Sequence, residues 1–272
     1  MSSIAGFYQC FKQKRAFIHA IEKYRENYPT ENLFIVNDKG DESLEEIAKQ
    51  YNANYHYRDS IGYTFWYDKQ FKMGISIIEK PLEWLSRIYE AILIYKEDFF
   101  INLEDDVWVM NKVNIDDLKY DINGCHLDGG FNNTISNYIR KRNPNISKTY
   151  IGGFGGCIFR TLFFKEILKD KDVIKKDLEI YYKLNGTIAA DAIISFLTYI
   201  YGGTIGTFPG YSEIRDNDYK KKLDENKIEI LHDYKELYES KEMRDNTINL
   251  VTPYNSDMAK KIMICYKNKY YK

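Results

Sequence analysis

Short apolar runs alternate with segments of helical period along the first part of the chain, and this alternation restricts the fold more than any other feature. Ile4 to Tyr8 is the first run. Arg15 to Tyr28 follows with Phe17, Ile18, Ile21 and Tyr24 near helical spacing, and Pro29 closes it. Leu33 to Val36 is a second run that ends in the turn Asn37-Asp38-Lys39-Gly40. Ser43 to Tyr51 turns Leu44, Ile47 and Ala48 to one side, and Asn54 to Tyr57 reads as a third strand. Leu82 to Tyr95 is periodic through Leu85, Ile88, Ala91 and Ile92, and Phe99 to Leu103 is a fourth strand buried on both faces. This order predicts an α/β fold with a mostly parallel central sheet and helices on both faces, because parallel neighbours need a crossover that a helix supplies.

Ligands of such sheets bind beyond the carboxyl ends of the strands. Three polar clusters fall there: Asp38 after the second strand, Arg58 and Asp59 after the third, and Glu104, Asp105 and Asp106 after the fourth. Adjacent carboxylates repel one another, and beside a core they are costly without a compensating cation. Clustered oxygen ligands suit Mg²⁺ or Mn²⁺, and an ion so held bridges the protein to a phosphorylated substrate. A solvated acidic run is the plain alternative, and the position after a buried strand weighs against it.

The chain of 272 residues is 44% hydrophobic, enough to bury a substantial core. Its 39 basic and 40 acidic residues leave a net charge of −1, which gives no electrostatic footprint for a nucleic-acid partner. Cys10, Cys125, Cys157 and Cys265 are far apart and form no CxxC pair, so reduced thiols are expected rather than a zinc site or a disulfide framework. No stretch approaches the roughly 20 apolar residues of a membrane span, and the N-terminal segment lacks the apolar core of a signal peptide. The expectation is a soluble cytoplasmic protein of a bacterial or viral setting, without a transmembrane segment.

The second half is less regular. Residues 59–80 are irregular and aromatic, and residues 128–150, rich in glycine and asparagine, read as a loop. "YIGGFGGCIFR" (150–160) reads as a glycine-rich turn entering a strand; no Lys-Ser or Lys-Thr follows, so it is not a Walker phosphate loop. Thr161 to Lys169, Asp172 to Leu184 and Ala189 to Tyr201 read as helices, and Thr204 to Phe208 as a strand. The tail with Lys260, Lys261, Lys267, Lys269 and Lys272 reads as a solvated terminal helix. Without repeat, linker or low-complexity segment, a single domain over 1–272 is expected, with functional halves near 1–110 and 111–272.

"VNDKGD" (36–41) followed by "SRIYEAILIYKEDFFINLEDDV" (86–107) resembles the nucleotide-sugar half of the GT-A glycosyltransferases. "LEDDV" is similar to the EDD form of their DXD motif in N-acetylglucosaminyltransferase I-like enzymes, and "EKYRENYP" before "LFIVNDKGD" is similar to the same group. The resemblance implies a GT-A fold and metal-dependent transfer of a sugar from a nucleoside-diphosphate sugar. UDP is favoured as its nucleotide, a glycan, glycoprotein or other hydroxyl compound as acceptor, and Mn²⁺ or Mg²⁺ as cofactor. Asp106 then coordinates the ion directly. Glu104, counted with the metal site, and Asp105 contact the ribose or the metal-bound water. Asp38 accepts a hydrogen bond from the base, Tyr8 lines the nucleotide pocket, Arg15 or Arg58 faces the diphosphate, and Arg87 fits the arginine of the preceding helix. His232, after Ile230 and Leu231, suits the family's late metal-binding histidine, with His126 as competitor. Asp191, at the start of an apolar helix, suits the base of an inverting enzyme. The "GGFGG" turn suits the family's small-residue turn under the donor sugar, through Gly155 and Gly156.

Each residue has a plainer assignment. Asp38 could serve only an Asx turn, Arg87 a solvated helix face, Tyr8 the core, His232 a half-buried structural role and Asp191 an ordinary helix start. Tyr63, Trp66, Trp84 and Trp108 could stack on sugars, but with 25 Tyr and 15 Phe in the chain core packing is the safer reading. A sugar-phosphate nucleotidyltransferase is the alternative enzyme. It shares the layout and the metal, although "YQCFKQKR" lacks the glycines of its usual loop. A non-catalytic nucleotide- or glycan-binding protein is the third reading.

Overall fold

The computed structural model describes residues 3–10, 14–39, 43–59, 78–126, 130–185, 189–213 and 219–232. Its first half is β1 (Ile4–Cys10), α1 (Lys14–Asn27), β2 (Leu33–Asp38), α2 (Leu44–Gln50), β3 (Asn54–Arg58), α3 (Glu79–Ile94) and β4 (Phe99–Leu103), in the order that the apolar pattern predicts. β5 (Trp108–Val109), β6 (Ile122–Asn123), β7 (Cys125–His126), α4 (Asn133–Arg142), β8 (Ile151–Gly152) and β9 (Ile158–Arg160) follow. The remaining elements are α5 (Thr161–Ile167), α6 (Lys171–Asn185), α7 (Ala190–Ile200), β10 (Ile205–Gly206), β11 (Tyr211–Glu213), α8 (Tyr219–Asp224) and β12 (Ile230–His232).

The central sheet has seven strands in the order β10-β6-β9-β4-β1-β2-β3. β1 pairs in parallel with β2 and β4, and β2 with β3. β9 runs antiparallel to both β4 and β6, so the sheet is mostly but not wholly parallel. β2 and β4 are buried at every position, as strands covered on both faces must be. Across the β4–β9 pair Phe100 stacks on Phe159 with centroids 4.9 Å apart. Such a ring pair contributes about 0.5–1.5 kcal/mol beyond its buried area.

Three sequence expectations change. Residues 128–150 hold a helix, α4, as well as loop: Asn132 caps it by accepting from the Ile135 amide at 3.0 Å, and Ile135, Ser136 and, one turn on, Ile139 are buried. The asparagines that suggest a loop are thus partly helix-start chemistry. The strand expected over Thr204 to Phe208 shortens to two residues, Ile205–Gly206. A three-stranded sheet, β11-β12-β5, is added; it joins the segment after the acids to the far end of the chain.

Trp84 is buried in the core, and Trp108 meets the His19 ring edge-on at 4.8 Å, so both pack against protein. Tyr63, Trp66 and the basic tail lie outside the described residues. Cys10 and Cys157 are buried, and the Cys157 thiol donates to the Gly124 carbonyl at 3.1 Å. Among the described residues no helix is long and apolar enough to cross a membrane.

Candidate metal centre

β4 delivers the acids. Beyond Leu103 the chain reverses in a turn closed by the Val107 amide donating to the Glu104 carbonyl at 3.1 Å, and it leaves as β5. β5 pairs antiparallel with β12, Leu231 opposite Trp108, and this pairing carries His232 to the acids. Glu104, Asp106 and His232 each offer a ligand atom within 4.8 Å of the others, and His232 Nε2 stands 3.8 Å from Asp106 Oδ1. Asp106 is 1% exposed and His232 5%.

The donor set fits a hard or borderline divalent cation. Two carboxylates and an imidazole are suitable ligands for such an ion. Donors around an octahedral ion at about 2.1 Å stand about 3 to 4.2 Å apart, which brackets the 3.8 Å separation. Asp106 is buried beside two partly exposed carboxylates, where solvent screens their repulsion incompletely, so a cation is the natural compensation.

Supporting side chains hold two of the three acids, Glu104 and Asp105. Asn102 Nδ2 donates to Glu104 Oε1 at 3.1 Å, and the Asn102 carbonyl accepts from the Gly156 amide at 2.7 Å. The Tyr8 hydroxyl donates to Asp105 Oδ1 at 2.5 Å, holding the middle acid toward β1. Tyr8 itself is fully buried and stacks on Phe17 at 5.3 Å. It therefore meets the acids from the core side, through Asp105. Burial and the Asp105 charge push the neighbouring Cys10 thiol well up, so it stays protonated.

Sequence reasoning missed Glu213. Its Oε1 lies 2.9 Å from His232 Nδ1 and accepts from the Tyr211 hydroxyl at 3.0 Å. The only available signal was its place in "GYSEIRD" after Pro209, a buried strand ending in an acid. His126 lies on β7, and its side chain is outside the described ones.

At the end of β2, Asp38 forms an ion pair with Arg87 of α3, and each side chain is 2% exposed. Gln9 also donates to Asp38, and Arg87 is paired with Glu83 at 2.7 Å. Burial lowers the guanidinium pKa to about 10, which leaves it charged at neutral pH. Arg87 is therefore not on a solvated helix face. Arg58 pairs with Glu90 at the end of β3, opposite Asp38 in the register. Arg15 lies in the first turn of α1.

The "GGFGG" turn packs between the start of α7 and the strand that carries His232. A Cβ on Gly153, whose φ is +92°, would stand 2.2 Å from Ile194 Cγ2 and 3.7 Å from Asp191 Cα. A Cβ on Gly155 would stand 2.9 Å from His232 Cδ2 and 3.0 Å from its Nε2, and one on Gly156 2.7 Å from Ile230 Cγ2. Phe154 stacks on the imidazole at 5.4 Å. The turn is thus clamped between α7 and β12, and its glycines make room for protein side chains. Ser195 ties it to α7: its hydroxyl receives the Gly152 amide at 2.9 Å and lies 2.7 Å from the Asp191 carbonyl. Asp191 is partly buried in the first turn of α7, and its charge adds to burial in raising the Tyr181 pKa.

No family model and no curated protein matches the chain. Solved structures do. The galactosyltransferase LgtC, in complex with donor and acceptor sugar analogues, superposes with a TM-score of 0.50 at 10% identity, covering 92% of this chain and 99% of that one. An active-site mutant of LgtC superposes with a TM-score of 0.52 at 10% identity, over 99% of this chain and 97% of that one. At this identity the likeness concerns the fold, and the fold is that of the GT-A class: an α/β domain on a mostly parallel seven-stranded sheet.

Proposed function

We propose that this chain is a metal-dependent glycosyltransferase that moves a sugar from a nucleoside-diphosphate sugar, with UDP favoured, to a hydroxyl of a glycan or glycoprotein. The observation that supports this most is the Glu104–Asp106–His232 donor set beyond β4, the central strand of a GT-A sheet. Glu104, Asp106 and His232 would hold Mn²⁺ or Mg²⁺, whose chemistry when bound is to neutralise charge on a departing diphosphate. Asp105, fixed by Tyr8, takes the ribose. Asp38 and Arg87 act as a pair at the base end, and Arg58 or Arg15 binds the diphosphate.

Asp191, in the first turn of α7, removes the proton of the attacking hydroxyl. Direct displacement with this one carboxylate as base inverts the anomeric centre. Gly155 and Gly156, whose side-chain directions are filled by protein, contact the sugar through their backbone.

A panel of UDP-, GDP-, CDP- and dTDP-sugars, assayed with Mn²⁺ and with EDTA, tests the reading. Turnover is expected with metal only, and Asp106→Ala lowers it at least about 100-fold. Undiminished turnover in that variant would refute the metal site. Asp191→Asn should keep donor binding and lower kcat by about 10²–10⁴. NMR of the product sugar supports Asp191 as base if the anomer is inverted; a retained anomer reassigns the residue. Pyrophosphate release from a nucleoside triphosphate and a sugar phosphate would make the chain a nucleotidyltransferase instead.

A further inference from the structure

We propose that Glu213 is a positioning residue of the candidate metal centre: it keeps a hydrogen on Nδ1 of His232 and thereby turns the Nε2 lone pair toward Glu104 and Asp106. The inference rests on the metal reading above and adds a residue to it. Its first support is geometric: Glu213 Oε1 is 2.9 Å from Nδ1, whereas Nε2 is the nitrogen on the side of Asp106, 3.8 Å away. A neutral imidazole carries one N–H, and a carboxylate accepts but does not donate, so the hydrogen belongs on Nδ1. The second support is backbone register. β11 and β12 pair in parallel with Glu213 opposite His232, so the relation is fixed by strand pairing as well as by side-chain torsions.

The third support is confinement. Phe154 lies flat on the ring, Gly155 leaves room at its Cδ2–Nε2 edge, and the Tyr211 hydroxyl stands 3.4 Å from Nδ1 while donating to Glu213. Glu213 is 2% exposed. A carboxylate placed behind a metal-binding histidine raises the ligand's basicity and holds the ring, and its loss lowers metal affinity about 10- to 100-fold.

The test is a Mn²⁺ titration of the full chain, followed by electron paramagnetic resonance of the free ion. Wild type, Glu213→Ala, Glu213→Gln and His232→Ala are compared, with the metal-free melting midpoint of each. Glu213→Ala should weaken Mn²⁺ binding about 10- to 100-fold. Glu213→Gln should weaken it less, because its amide oxygen still accepts the Nδ1 hydrogen. ¹⁵N NMR of the wild-type histidine, at a pH where the ring is neutral, should find the hydrogen on Nδ1.

Wild-type affinity in Glu213→Ala, alongside weakened binding in His232→Ala, would overturn the role of Glu213 and leave the metal reading standing. No Mn²⁺ binding by the wild type would overturn the metal reading itself, and the proposal with it. If the alanine variant does not fold, the glutamine variant and the wild-type spectrum decide, and a hydrogen on Nε2 refutes the proposal.

Discussion

A methyl group on Gly155 would stand 3.0 Å from Nε2 of His232 and 2.8 Å from Cγ2 of Val107. Neither neighbour has room to yield: Val107 is fully buried, and the histidine is held by Glu213 and by the Phe154 ring. Gly155→Ala is therefore expected to displace the imidazole and weaken Mn²⁺ binding about tenfold or more. Overpacking should cost about 1–3 kcal/mol of stability. A metal titration beside a melting curve checks both, and unchanged affinity would mean that His232 does not bind the ion. Gly153 and Gly156 are different cases, since φ values of +92° and +79° exclude most side chains on backbone grounds alone. At this scale "GGFGG" is a spacer between Asp191 and His232, a role that its composition does not announce.

Among the elements, the parallel strands carry charge to one end and are tied together at the other. Glu97, between α3 and β4, accepts from the Asn32 amide at 2.7 Å, from Asn32 Nδ2 at 3.0 Å and from the Lys96 amide at 2.9 Å, joining the β4 entrance to that of β2. Burial alone would raise its pKa, but these donors outweigh it, and the folded value lies below the usual carboxylate range. A depressed folded pKa means stability that is present above the unfolded value, about 4.3, and lost as pH falls through the folded one. Glu97→Gln should thus lower the melting midpoint at pH 7, by an amount reflecting about 1 kcal/mol. The gap to wild type should close as the pH drops below about 4. Melting curves across that range test the sign, and a gap that widens in acid would contradict the assignment.

On the scale of the whole molecule, the candidate centre joins distant parts of the chain, because β4 supplies the acids and β12 the histidine. Glu104 and Asp106 beyond β4 and His232 on β12 would together hold such an ion, and its binding would stabilise only the folded state. At a hundred times its dissociation constant it would add about 2.7 kcal/mol, which for a chain of this size is about 5–10 °C in melting midpoint. Mn²⁺ is expected to raise the midpoint by that amount, EDTA to reverse the rise, and Asp106→Ala to abolish it. Stabilisation that survives Asp106→Ala would place the ion elsewhere.

The sequence alone determined the parallel half. Leu33 to Val36 and Phe99 to Leu103 are apolar runs that only a doubly covered strand accommodates, and the helices between them follow from a 3.6-residue period. It also placed Asp38, Arg58 and Glu104–Asp106 at one edge, because strand ends are local information. The asparagine-rich stretch reads as loop in sequence although the Asn132 cap begins α4 there, since cap and loop chemistry use the same residues. Tertiary structure decided what depends on long-range pairing. That Glu213 stands opposite His232, that Arg87 closes on Asp38, and that Gly155 yields its space to an imidazole all require segments far apart in sequence to meet. Strands two or three residues long, such as β5 and β12, carry too little local pattern to reveal such partners, and their register exists only once the larger sheet has positioned them.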